Sequence, residues 1–429
     1  MAIAAIVADD FSSATDCGVQ FSSHGLETVA LMALPCVSER LAYDVASIDT
    51  DSRAATSDVA YEKVRQAAAL VKASGYRYIY KSIDSTLRGN LGAEIDAMLD
   101  VFVPDFAFVA PAFPYWGRTT KDGYHYLNGV PISESQFSKD PVWPIREPSL
   151  VRLLASQTKR RVGLIDISGV RGGMENLATR LEQLKTNGVE VVVFDAETEG
   201  DLKRIAQISA AIGKGSVIVG STGLSQYLSD AWGISRGERL AAITDGPGPV
   251  ILVAGSASPT TRRQVQRFLD SAGTFGVEIH SRSIITGHWL NEQTGRLAGV
   301  RDAINRGCDV ALYLTSSPED VEATQKLGEA RGMGKLEVSN LIVTTMAKFV
   351  VEVVRQNRVH GFLLTGGDTA KAVCHELGAT GMKLLSEVEP GIPAGLLVGP
   401  HDVLAVTKAG AFGSDDVLNQ ARRVLRGAF

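Results

Sequence analysis

Short runs of apolar, often β-branched residues recur along this chain, each followed by a longer stretch in which apolar positions return every three or four residues. Residues 3–8, 28–31, 76–81, 106–110, 162–167, 190–194 and 216–219 read as strands, with amphipathic helices such as 57–74 and 174–187 between them. Near-continuous apolar strands separated by helices indicate parallel sheets covered on both faces, so the expected class is α/β. The alternation breaks at "TDGPGP", residues 244–249, where prolines and glycines separate a polar helix from a new strand, "VILVAG". It then restarts, with strands at 309–315, 361–365 and 402–407 and a long helix at 337–357. The expected organisation is two α/β domains, 1–243 and 250–429, each with a mostly parallel sheet flanked by helices, joined by the linker 244–249. Residues 111–148 read as the longest irregular piece, and loops of that length are usually functional.

The length of 429 residues agrees with two domains, and 45% hydrophobic with 21% charged residues is ordinary globular usage. No run approaches the roughly 18 apolar residues of a membrane span. The start, "MAIAAIVADDF", lacks a basic region and a cleavage site, so it reads as a first strand and the expected location is the cytoplasm. Cys17, Cys36, Cys308 and Cys374 are scattered without CxxC spacing, which indicates packing residues and neither a disulfide framework nor a zinc site. A net charge of −5 without a basic stripe argues against nucleic acid as a partner. Small molecules are the expected partners, and a homodimer is compatible with the chain.

Polar clusters fall where predicted strands end, the place at which open parallel sheets bind ligands. In the first half they are charged: "ADDFSSATD" from Ala8, "DTDSR" from Asp49 and "YKSIDSTLRGN" from Tyr80. Lys81 and Arg88 offer cationic donors and Asp9, Asp10 and Asp84 accept from hydroxyls, a combination suited to a small polyhydroxylated acid. Asp10 or Asp16 can cap the helix after the first strand, with Asp16 the expected cap. His125, between two tyrosines, reads as a packed loop histidine. Residues 220–223, "GSTG", read as a further strand-to-helix turn able to seat an anion.

In the second half the clusters are rich in glycine and hydroxyls: "AGSASPTT" from Ala254, "LTGGDTA" from Leu364 and "TKAGAFG" from Thr407 to Gly413. A strand running through Thr365 into Gly366, Gly367, Asp368 and Thr369 and then a helix exposes backbone N–H groups at a positive dipole end, a seat for phosphate, with Lys408 as an added point charge. Asp368 is expected either to cap that helix or to serve the phosphate chemistry.

With these segments in view, the sequence resembles the four-carbon acid sugar kinase family. The matching stretches, in order, are "IVADDFSSATD", "KSIDSTLRGN", "PAFPYWGRTTKDGYHYLNGVPISESQFSKDP", "VAGSASPTTRRQV", "LLTGGDTA" and "AVTKAGAFG", and they span nearly the whole chain. The resemblance implies phosphorylation of the terminal hydroxyl of a tetronate by ATP with Mg²⁺, at an active site in a cleft between the domains. The first domain would hold the sugar acid through Asp9, Asp10, Arg53, Lys81, Ser82, Asp84, Ser85 and Arg88. The second would hold ATP through Ser258, the turn from Gly366 to Thr369 and the neighbourhood of Gly410. Asp10 and Asp368 are the catalytic candidates. Where the family reads Thr-Gly this chain has Ser12-Ser13, a glycine exchanged for a residue with a hydroxyl. The segment from Gly117 to Pro141 favours D-threonate or D-erythronate over 3-oxo-tetronate. The alternative from another class is a sugar-acid and nucleotide sensor without turnover.

Overall fold

The strand segments "AAIVA", "FAFVA" and "VILVA" contain no polar side chain, and every residue in them is buried. Such segments are stable only with helices on both faces, and that requirement organises the protein. The structure, a computed structural model, describes residues 2–34, 41–140, 143–213, 216–234, 236, 243–400 and 402–428. The chain forms two compact units, Met1–Glu238 and Arg239–Phe429. Residues 244–249 belong to the second unit, where Arg426 donates to the carbonyls of Gly246 and Gly248.

The first unit is built on strands β1 (Ala4–Ala8), β2 (Thr28–Leu31), β3 (Val45–Asp49), β4 (Tyr78–Ser82) and β5 (Phe106–Ala110). A small sheet follows, β6 (Arg118–Lys121), β7 (Tyr124–Leu127) and β8 (Val130–Pro131). The main sheet then resumes with β9 (Arg161–Ile165), β10 (Val189–Phe194) and β11 (Ser216–Gly220). Its order is β2-β3-β1-β4-β11-β5-β10-β9, with every pairing parallel. Helix Phe11–Ser22 leaves β1 to pack on β2 and β3, whereas Ser57–Ser74 and Leu91–Phe102 pair with each other. The connection out of β1 therefore runs one way along the sheet and the connection out of β4 the other. β1 and β4 form the switch point, where a crevice opens beyond the carboxyl ends of the strands.

The second unit repeats the plan with β12 (Val250–Ala254), β13 (Thr274–Ile279), β14 (Asp309–Leu314), β15 (Gly361–Thr365), β16 (Gly381–Glu389), β17 (Ile392–Val398) and β18 (Leu404–Lys408). The order is β13-β14-β12-β15-β18-β17-β16, parallel from β13 to β18 and antiparallel at the β18–β17 and β17–β16 pairings. Here the switch point lies between β12 and β15.

Two expectations change. Residues 111–148 are not irregular throughout: within them β6, β7 and β8 form an antiparallel sheet, tied to the first unit where Thr120 and Ala196 exchange backbone hydrogen bonds. Strands β3, β13, β16 and β17, which apolar runs did not indicate, complete the two main sheets. Cys17 and Cys374 are buried and Cys308 is half-buried, while Cys36 lies outside the described residues. Among the described residues, no helix is long and apolar enough to cross a membrane.

Candidate active site

Parallel pairing sets Ala8, Asp49 and Ser82 side by side at the same end of β1, β3 and β4. The chain leaving β3 folds over the end of β1, with the amides of Ser52 and Arg53 donating to the carbonyl of Asp9 at 3.0 and 3.2 Å. That turn passes through Asp51 at φ 50°, a left-handed conformation uncommon outside glycine. It delivers the Arg53 guanidinium onto both opening acids. Nε and one terminal nitrogen grip Asp9 bidentately at 2.7 and 2.9 Å, and the other terminal nitrogen meets Asp10. The Asp9 side also reaches the Ser13 hydroxyl, which accepts from Arg53 at 2.9 Å.

Asp10, and not Asp16, caps the first helix. Its Oδ1 accepts from the Ser13 amide at 2.7 Å, whereas Asp16 is buried within the helix. Burial raises the Asp10 carboxyl above the ordinary carboxylate value against the pull of Arg53, with Asp9 pushing the same way as burial. A carboxylate that is fixed, partly exposed and made more basic is suited to accept a proton from an alcohol.

Lys81 does not present a free cation. Its side chain is 0% exposed, its ammonium lies 2.7 Å from Glu94 Oε2 and it donates to the Ser82 carbonyl at 2.6 Å. The other oxygen of Glu94 accepts from the Ser52 hydroxyl at 2.7 Å, so the pair braces the turn that carries Arg53. Burial raises the Glu94 carboxyl while Lys81 opposes it. The cation expected to clamp a ligand is here engaged by Glu94 and the Ser82 carbonyl. Glu94 was missed from the sequence, although two acids, Glu94 and Asp96, inside the largely apolar "LGAEIDAM" were a visible signal.

The Ile83–Asn90 turn supplies the remaining candidates. Arg88 donates to Asp84 through Nε at 2.6 Å and lies 3.5 Å from Asp140, with its guanidinium carbon 5.3 Å from the Phe137 ring centre. Although burial opposes it, Arg88 and Arg53 hold the Asp84 carboxyl well below the usual range. Arg88 keeps 26% side-chain exposure and is the accessible cation of this group. Ser82 is buried against Cys17 at 3.2 Å, and Ser85 is buried with its carbonyl taken by His125. Gly89, at φ 98°, lets the turn lie on Arg53: a Cβ there would meet Arg53 Cγ at 3.3 Å. The "GSTG" turn at 220–223, expected as an anion seat, is closely packed. Ser221 caps its own short helix, and added Cβ atoms at Gly220 and Gly223 would meet the carbonyls of Ala110 and Ala112 at 2.6 and 2.5 Å.

In the second unit the turns after β12, β15 and β18 meet. Ser256 sits between the other two: a Cβ on Gly410 would stand 2.2 Å from its hydroxyl, and one on Gly366, at φ 101°, 3.4 Å from its Cβ. Ser258 caps helix Pro259–Leu269, accepting from the Thr260 amide at 3.3 Å. From that helix Thr261 donates to the Gly410 carbonyl at 2.9 Å, and Gln264 donates to the carbonyls of Phe412, Gly413 and Ser414. Gly413 turns the chain at φ 89°. Helix Gly367–Glu376 begins at Gly366 with no side-chain cap, and Asp368 stands exposed in its first turn; the cap reading of Asp368 is corrected. Thr369 is buried, its hydroxyl filling the space that a Cβ on Gly255 would need. Lys408 is buried as well, its ammonium donating to Thr365 Oγ1 at 3.1 Å and to the carbonyls of Ala409 and Gly410 at 2.9 and 3.3 Å. It shapes the cradle from beneath, in place of the expected charge on the ligand side.

Residues 4–228 match the family model of a sugar-binding N-terminal domain, and residues 251–418 that of a nucleotide-binding C-terminal domain. The chain is similar to the D-threonate kinase of Salmonella typhimurium, 33% identical over 97% of this chain and 96% of that protein. It is also similar to the D-erythronate kinase of Heliobacterium modesticaldum, 31% identical over 96% and 94%. The 3-oxo-tetronate kinase of Cupriavidus necator is 31% identical over 98% and 96%. Among solved structures, a Haemophilus influenzae protein of family DUF1537 superposes with a TM-score of 0.73 at 28% identity, over 98% of this chain and 100% of that one. A Salmonella typhimurium structure shares the fold with a TM-score of 0.81 at 23% identity over 99% of both. With acids and arginines at one switch point and a glycine cradle at the other, the chain belongs to the four-carbon acid sugar kinase family and is a phosphotransferase.

Proposed function

We propose that this kinase transfers the γ-phosphoryl group of ATP to the C4 hydroxyl of D-threonate or D-erythronate. The observation that carries the reading is Asp10: one oxygen held by the Ser13 amide, the other by Arg53, and a carboxyl raised by burial at the end of β1. In the step, the hydroxyl oxygen forms a bond to the γ-phosphorus, the bond from that phosphorus to the β,γ-bridging oxygen breaks, and ADP leaves with that oxygen. The alcohol proton passes late to Asp10, because a loose transition state asks the base mainly to orient the hydroxyl. Asp9 keeps Arg53 in place, and Ser13 adds a hydroxyl beside it. Arg88 takes the substrate carboxylate, assisted by the Ser82–Ser85 segment.

The amides opening helix Gly367–Glu376, with Ser258 and Gly410 alongside, receive the phosphates in this reading. Asp368, exposed in the first turn of that helix, is the carboxylate that would hold a Mg²⁺ ion, which would supply neutralisation of phosphate charge. ADP release measured with a panel of D-threonate, D-erythronate, L-threonate and 3-oxo-tetronates tests the proposal. The highest kcat/KM is expected on one of the first two. A preference for a 3-oxo-tetronate moves the substrate assignment within the family, and binding of both ligands by calorimetry without ADP release would leave a sensor.

A further inference from the structure

His125 lies on β7, outside every group assigned above, yet it reaches into the sugar-acid site. Its ring is 0% exposed, Nε2 lies 2.9 Å from the carbonyl of Ser85, and Nδ1 lies 3.0 Å from the Thr120 hydroxyl. A carbonyl only accepts, so Nε2 carries the hydrogen and Nδ1 accepts from Thr120. Thr120 is itself held through its backbone to Ala196. The first half of the Ile83–Asn90 turn is tied by the Ile83 amide to the Gly220 carbonyl at 2.8 Å and by the Ser85 carbonyl to His125, while its far end is held by Gln157 on the Gly89 carbonyl and by Asn90 on the carbonyls of Ser52 and Ala55. Asp84 lies between Ile83 and Ser85 and Arg88 follows, and the turn carries Leu87 at φ 66°, a left-handed conformation that a non-glycine residue holds only with support from the surroundings, with Gly89 at φ 98° two residues on. The same excursion of the chain places Phe137 and Asp140 on Arg88.

We propose that His125 is a positioning residue for sugar-acid binding: through the Ser85 carbonyl it fixes the turn that aims Arg88, so the small sheet β6–β8 is a specificity element of the site. The inference rests on the assignment of this site to the sugar acid. Two variants differing in reach test it. H125N is too short to bring its amide to the Ser85 carbonyl, and H125Q places an amide nitrogen near the position of Nε2. H125N is expected to raise KM for the sugar acid about 10-fold while kcat at saturation and KM for ATP stay within about 2-fold, and H125Q to recover most of the loss. Hydrogen exchange at residues 83–90 is expected to quicken in H125N and not in H125Q, a readout that holds even if no tetronate is turned over. An H125N protein that is unfolded, one with unchanged sugar-acid KM, or equal defects in both variants would each overturn the role. Absence of turnover in the parent enzyme, with the exchange difference intact, would instead sink the substrate assignment.

Discussion

In the proposed step Asp10 combines a structural and a chemical task on separate oxygens, and substitution separates them. Asparagine still accepts the Ser13 amide, so Asp10→Asn is expected to cost no more than about 1 kcal/mol of stability, near the value of a cap. Losing the charge facing Arg53 removes the proton acceptor, and kcat should fall by ~10² or more, read by steady-state kinetics beside a thermal melt. Asp368 makes the complementary case. It is exposed and caps nothing, so Asp368→Asn should leave the melting temperature unchanged while lowering kcat by ~10². A variant as fast as the parent would remove Asp368 from the chemistry. Lys81 belongs to the opposite kind. Lys81→Met strands the buried Glu94 carboxylate and is expected to destabilise by roughly 3 to 5 kcal/mol, whereas Lys81→Met with Glu94→Leu should recover part of that loss. Additive losses in the double variant would show that the two residues do not act as a pair.

At the scale of elements, the proposed nucleotide cradle is three turns wedged together, and glycine is the condition of their approach. Gly410→Ala sets a methyl group where the Ser256 hydroxyl stands, and that hydroxyl accepts from the Ser258 amide at 3.2 Å. The turn after β12 must shift. ATP affinity is expected to drop ~10-fold by calorimetry with sugar-acid binding intact; equal loss of both would mean that the unit, not the cradle, was damaged. The cradle was legible in sequence because glycine and hydroxyl clusters sit directly after apolar strands. β3 was not, because "VASID" buries polar groups: Ser47 donates to the Ala14 carbonyl at 2.6 Å and Asp49 accepts from the Asp51 amide. β17 hides behind Pro393 and Gly395, residues that argue against a strand until the pairing is seen. The small sheet is made of strands such as "RTTK", where polarity gives no period to read. Residue types near the sugar site were likewise legible and their pairing was not. Nothing in spacing tells that Lys81 meets Glu94, or that Lys408 turns inward onto carbonyls.

Across the whole molecule, acid stability gathers these local facts into one measurable curve. Burial pulls the His125 imidazole down to about 4, with Arg118 also opposing its protonation and Asp84 and the Ser85 carbonyl favouring it. In the unfolded chain the same ring protonates near its ordinary value of about 6.5. Between these values the unfolded state binds the extra proton, so stability rises with pH through the window and is lost as pH falls from about 6.5 toward 4. The full difference corresponds to about 3 kcal/mol. Asp84, held low, adds loss of the same sign at still lower pH, whereas Asp10 and Glu94, held high, favour protonation of the folded state and act in the opposite sense. The parent curve alone mixes these contributions, but glutamine does not titrate, so the gap between parent and H125Q isolates the ring. Denaturant midpoints between pH 7.5 and 4 should show parent stability falling relative to H125Q as the pH drops, with most of the change complete by pH 4. Parallel curves would mean that His125 titrates alike in both states, and the neutral, Nε2-protonated ring that holds Ser85 would have to be abandoned.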